Sequence, residues 1–129
     1  MNVVSPDPIA AVLIYVPDVQ AGIAWYQRAF PGAERTRLEA FDFEILCVGT
    51  VRLEVVQSDE KVSSGAFGSV VYWRVADLQS ALRHLHHIGA RLYRGPMPIE
   101  DGLSMCQVQD PWGNCIGLRG PSLMADIST

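Results

Sequence analysis

The chain carries one short pattern twice. Val16-Pro-Asp-Val-Gln20 lies over Val75-Ala-Asp-Leu-Gln79 at a shift of about 59 residues, and the segments that follow each copy run in the same order. In the first copy, Ile9 to Val16 is an unbroken apolar run, which reads as a strand. Pro17 stops it and Asp18 supplies a helix N-cap. Val19, Ile23, Tyr26 and Phe30 then recur at helical period until Pro31-Gly32. Three strands are expected next, about Glu34 to Glu39, Phe43 to Val48 and Val51 to Gln57, the last two joined by Gly49-Thr50. In the second copy, Val70 to Val75 is the strand and Asp77 the cap. Leu78, Leu82, Leu85 and Ile88 form the stripe, and Gly89 closes it. Strands are expected over Arg91 to Arg94, Leu103 to Gln109 and Cys115 to Arg119. Ser58 to Gly68 reads as a linker and Gly95 to Gly102 as a long loop. Trp25 lies off the first stripe, where it either covers the helix edge or serves a subunit contact.

This duplication constrains the architecture. A βαβββ unit of about 60 residues has one helix, which covers one face of its sheet and leaves the other bare. Two such units side by side give an α+β fold of paired, curved, mixed sheets around a cleft, with the helices on the outer faces. Clefts of this kind are where ligands bind. The expected organisation is one domain over residues 9–120, with repeats at about 9–57 and 69–120 and tails at 1–8 and 121–129.

Composition excludes several classes. The 129 residues are 49% hydrophobic and 19% charged, as in a globular protein rather than a disordered one. A net charge of −4 and a pI near 5.2 argue against a nucleic-acid partner, which requires a basic face. No apolar run is long enough to span a bilayer, so no membrane association is expected. Residues 1–8 show no signal-peptide pattern. The 3 cysteines, Cys47, Cys106 and Cys115, are odd in number and lack metal-type spacing, which points to free thiols in a reducing, cytoplasmic compartment.

Near the end, Asp110-Pro-Trp-Gly-Asn114 combines a turn-initiating Asp-Pro with two residues tolerant of positive φ, between apolar flanks. That hairpin, together with the duplicated strand-Asp-helix openings, resembles the vicinal oxygen chelate superfamily over about residues 9 to 120. The superfamily includes glyoxalase I, extradiol dioxygenases, bleomycin-resistance proteins and fosfomycin-resistance enzymes. The resemblance implies metal ligands at matching positions of the two repeats: a His or Gln on each opening strand and a Glu on each closing strand. By register these fall on Ala11, Val70, Glu54 and Gly117. Only Glu54 offers a donor atom, so no metal and no other cofactor is expected, and the activity of a lactoylglutathione lyase is not expected either.

Alternation extends the site, because residues two apart on a strand share a face. Ala11 brings Leu13 and Tyr15; Val70 brings Tyr72 and Arg74; Glu54 brings Arg52; Gly117 brings Cys115 and Arg119. The opposite set, Val12, Ile14, Val16, Leu53, Val55, Val71, Trp73, Val75, Ile116 and Leu118, is wholly apolar, as a helix-covered face should be. The same parity sends Met105 and Gln107 to the cleft and Cys106 to the helix side, so Cys106 and Cys115 are not expected to form a disulfide. The candidate ligand-binding residues are Leu13, Tyr15, Arg52, Glu54, Tyr72, Arg74, Met105, Gln107, Cys115 and Arg119. Glu54 has two readings, a carboxylate paired with an arginine or a general base. The arginines are either a solvated sheet edge or readers of an anionic or carbonyl-bearing ligand. His84, His86 and His87 read as a solvated helix face.

Three functions follow. The first is a metal-independent binding protein of the bleomycin-resistance type that sequesters an antibiotic or metabolite. The second is a metal-free isomerase or lyase with Glu54 as catalytic base. The third is a ligand-sensing or partner-binding module without chemistry. The family resemblance and the frequency of symmetric dimers both imply a homodimer.

Overall fold

A computed structural model describes residues 9–59, 65 and 70–122. The chain divides into two compact units, Met1–Ser63 and Ser64–Thr129. Each is built in the same way, so the α+β class and the βαβββ order read from the duplication are what the structure has.

Unit 1 contains β1 (Val12–Val16), α1 (Val19–Ala29), β2 (Glu34–Leu38), β3 (Phe43–Val48) and β4 (Val51–Gln57). Its sheet has the order β1-β4-β3-β2. β1 runs parallel to β4, and the other neighbours are antiparallel. Unit 2 repeats this with β5 (Tyr72–Arg74), α2 (Leu78–His87), β6 (Arg91–Pro98), β7 (Ser104–Gln109) and β8 (Cys115–Gly120), in the order β5-β8-β7-β6. The two opening strands are shorter than their apolar runs. The expected linker at 58–68 and the expected tails fall largely outside the described residues. No helix among the described residues is long and apolar enough to cross a membrane.

The Asp caps act as the sequence implies. Asp18 Oδ1 accepts from the Ala21 amide at 3.2 Å, and Asp77 Oδ2 accepts from the Ser80 amide at 3.2 Å. α1 packs on β3 and β4. Its buried face is Gly22, Ile23, Trp25, Tyr26 and Ala29, turned from the expected stripe toward Trp25. The cause is Gly22. A Cβ there would lie 2.8 Å from methyls of both Val16 and Val55, so the bare glycine lets the helix settle close to the sheet on that side. Trp25 is therefore a core residue, 6% exposed and edge-on to Tyr26 at 4.9 Å. Neither role weighed for it from the sequence describes this position.

A second correction concerns residues 95–102. They do not form one long loop: β6 continues to Pro98, and a single 3-10 turn follows at Glu100–Gly102. Pro96 and Pro98 are tolerated because β6 is the edge of its sheet, where one row of backbone groups needs no partner.

Candidate functional site

The sheet of unit 2 has one face under α2 and one turned away from it. Cys106, Val108, Ile116 and Leu118 occupy the helix side and are at most 3% exposed. Burial pushes the Cys106 thiol up to about 11, which suits a core residue and not a nucleophile. Cys115 is on the opposite face, across from Gln109, and its thiol is also raised, first by burial and then by the charge of Asp110. The three cysteines are free.

The open face is laid out by register, since residues directly opposite each other share a side. Tyr72, Gly117, Gln107 and Arg94 form one row across β5, β8, β7 and β6. Arg74, Arg119, Met105 and Met97 form the next, and Cys115, Gln109 and Arg91 lie beyond. The structure thus brings together six of the residues expected from the sequence: Tyr72, Arg74, Met105, Gln107, Cys115 and Arg119.

Tyr72, on the edge strand β5, reaches inward over this face. Its ring lies across Gly117, so close that a Cβ at 117 would sit 2.6 Å from a ring carbon. Its hydroxyl accepts a hydrogen bond from Gln107 Nε2 at 2.6 Å. The Arg119 guanidinium stands 4.5 Å from the ring centroid, within cation–π range. Gln107 is buried, which fixes the hydroxyl, and the hydroxyl retains further hydrogen-bonding capacity.

In unit 1, the corresponding open face carries Leu13 opposite Glu54 and Tyr15 opposite Val56, with Arg52 two residues from Glu54 on β4. Arg52 Nε is 2.7 Å from Glu54 Oε2 but has no hydrogen-bond acceptor, so the contact is an ion pair made off the N–H axis. Glu54 is thus a paired carboxylate. On the helix side, Glu44 accepts from Arg35 Nε at 2.5 Å and from Gln20 Nε2 at 3.2 Å. The hydrogen bond from Arg35 is the main cause that lowers the Glu44 carboxyl to about 2, with Gln20 adding to it.

Sequence reasoning passed over Arg91 and Arg94. Their spacing of three places them on opposite faces of a regular strand. A register shift between Leu92 and Arg94 puts both on the open side. The local sign of it is Gly95, a glycine inside the strand at φ +78. Behind the same sheet, α2 and β6 flank a groove of about 570 Å³ walled by Leu82, His86, Leu92 and Val108, away from the polar cluster.

The family metal site can be tested on these residues. Ala11, Val70 and Gly117 have no donor, and the space above Gly117 holds the Tyr72 ring. Glu54 is engaged by Arg52. Among the described residues no three His, Cys, Asp or Glu side chains converge. The residues present do not fit a divalent metal at that position.

A βαβββ module built twice, each copy with one sheet face under its helix, defines the fold class. The chain belongs to the glyoxalase/bleomycin resistance protein/dioxygenase superfamily, whose model matches residues 8–118. Similar solved structures include a glyoxalase/bleomycin resistance protein/dioxygenase family enzyme from Burkholderia phytofirmans PsJN, at 17% identity and TM-score 0.71, covering 86% of this chain and 96% of that one. An integron cassette protein from V. cholerae matches at 17% identity and TM-score 0.71, covering 95% and 98%. The fosfomycin resistance protein FosX from Mesorhizobium loti matches at 12% identity and TM-score 0.67, covering 92% and 96%. At these identities the likeness is one of fold. None of the curated proteins compared matches the chain.

Proposed function

We infer that the protein is a metal-independent small-molecule binding protein, and that unit 2 holds the ligand on its open face around Tyr72. The observation that carries this reading is the Tyr72 ring lying over Gly117. Where the resemblance implies a metal-binding carboxylate, this chain has an aromatic wall, a fixed hydroxyl and a guanidinium. Such a set binds and orients a ligand, and it supplies no Lewis acid. FosX and the Burkholderia protein share the fold, and the bleomycin-resistance branch named in the family description fits a binding role. The enzyme alternative draws less support, because the one carboxylate at a family position is held by Arg52. Three free cysteines support a reducing compartment such as the cytoplasm, and a homodimer goes with this reading.

The test is a thermal-shift screen of small molecules against wild-type protein and Tyr72→Ala, beside metal analysis of protein purified without chelator. A ligand that binds the native state raises its melting temperature, and the rise should be lost in the variant. Stoichiometric bound metal that disappears in Glu54→Gln would overturn the reading.

A further inference from the structure

Charge is distributed unequally between the two units. Arg35 pairs with Glu44, Arg37 with Asp42 and Arg52 with Glu54, three arginine–carboxylate ion pairs that lie in unit 1. The open face of unit 2 carries Arg74, Arg91, Arg94 and Arg119, each exposed, and its three register rows contain no carboxylate. None of the four has an acidic partner among the described residues. Of the acids in unit 2, Asp77 caps α2 and Asp110 is consumed by the last turn, while Glu100 and Asp101 lie past Pro98 in the turn that joins β6 to β7, outside the three rows.

Arg74 and Arg119 are direct neighbours on the parallel pair β5–β8. Like charges placed opposite each other on a sheet repel, and neither here has a carboxylate to offset that. Arg119 is also steadied by the Tyr72 ring, which Gln107 holds in place. Two guanidinium forks side by side, one of them oriented in advance, match the geometry of an oxyanion. Arg94 lies two strands away from Arg119, about 10 Å across the sheet, in reach of a second anionic group on the same molecule.

We propose that this face is an anion-recognition site for a small molecule bearing at least two oxyanion groups, phosphate or carboxylate. Arg74 and Arg119 clamp one group, Arg94 takes the other, and the Tyr72 hydroxyl and Gln107 read the intervening part. Arg91 adds to the field without a direct contact. The inference rests on the binding reading above and names its ligand class.

Calorimetric titration with pyrophosphate and with citrate, at low and at raised salt, tests the inference. Wild-type protein should bind at least one of the two at one site per chain. Pyrophosphate alone would point to phosphate-bearing ligands and citrate alone to carboxylate-bearing ones. Arg74→Ala and Arg94→Ala should each weaken binding about tenfold or more, while Arg83→Ala, an exposed arginine on α2, should leave it unchanged. Equal weakening by Arg83→Ala would show diffuse counter-ion attraction and overturn the site. If neither anion binds but uncharged compounds from the screen still bind in a Tyr72-dependent way, the anion site is refuted and the binding reading survives. If no compound of either kind binds, both fall.

Discussion

Asp110 and Asn114 close the final turn on each other. Asp110 Oδ1 accepts from the Asn114 amide at 2.9 Å and Oδ2 accepts from Asn114 Nδ2 at 2.9 Å, while the Asp110 amide donates to the Asn114 carbonyl at 2.8 Å. A further bond to Oδ1 comes from the Trp112 amide at 2.8 Å, and Asn114 Oδ1 accepts from the Gly65 amide at 3.0 Å. The Asp-Pro-Trp-Gly-Asn string is thus a hydrogen-bonded knot around a buried carboxylate, Asp110 being 3% exposed. Asp110→Ala should lower stability by about 2–4 kcal/mol, since it leaves donors unpaired around a lost charged acceptor. Urea unfolding with an unchanged m-value would register this as a shift in midpoint.

The Arg35–Glu44–Gln20 network should make the protein sensitive to acid. The folded Glu44 carboxyl is lowered from 4.5 to about 2, so the unfolded chain takes up this proton first as pH falls. The stabilisation is complete above the unfolded pKa and fades as pH drops from 4.5 toward 2. The stability gap between wild type and Glu44→Gln should therefore narrow over that window and stay constant above it. A gap that does not change with pH would show that the network contributes no proton linkage.

Gly22→Ala sets two effects against each other. Alanine gains about 1 kcal/mol of helix propensity over glycine. Its methyl would press on the branched side chains of Val16 and Val55 at 2.8 Å, and overpacking of this kind costs about 1–3 kcal/mol. Net destabilisation is expected, read as a lower melting temperature. A stabilised variant would mean that α1 moves off the sheet easily.

Gly117→Ala should destabilise by about 1–3 kcal/mol, because its Cβ meets the Tyr72 ring and that ring is held by Gln107. In a double-mutant cycle with Tyr72→Ala, the cost of Gly117→Ala should largely disappear. Additive costs would place the strain elsewhere.

Much of the fold could be read from the chain because the relevant signals are local. β3 and β4 run over Phe43–Val48 and Val51–Gln57 as the alternation predicts, with Gly49 at φ +60 in the link between them. The helix caps are set by single residues within three positions of their targets. What escaped was non-local. Trp25 became core because a glycine three residues earlier changed which side of α1 meets the sheet. β6 outran its expected end because an edge strand tolerates Pro96 and Pro98. Alternation could place Tyr72 and Gly117 on one face, but not show that the ring leans across the neighbouring strand to cover the glycine. Arg94 joined that face through a register shift in the pairing of β6 with β7, which strict alternation does not foresee.

The cover that Tyr72 places over Gly117 couples the two positions. Glutamate introduced at 117 alone would collide with the ring, and removal of the ring alone takes away the aromatic wall and the hydroxyl bonded to Gln107. A carboxylate fits at 117 only together with a smaller residue at 72, so an engineer who wants a charged group on this face must change the two positions as a pair.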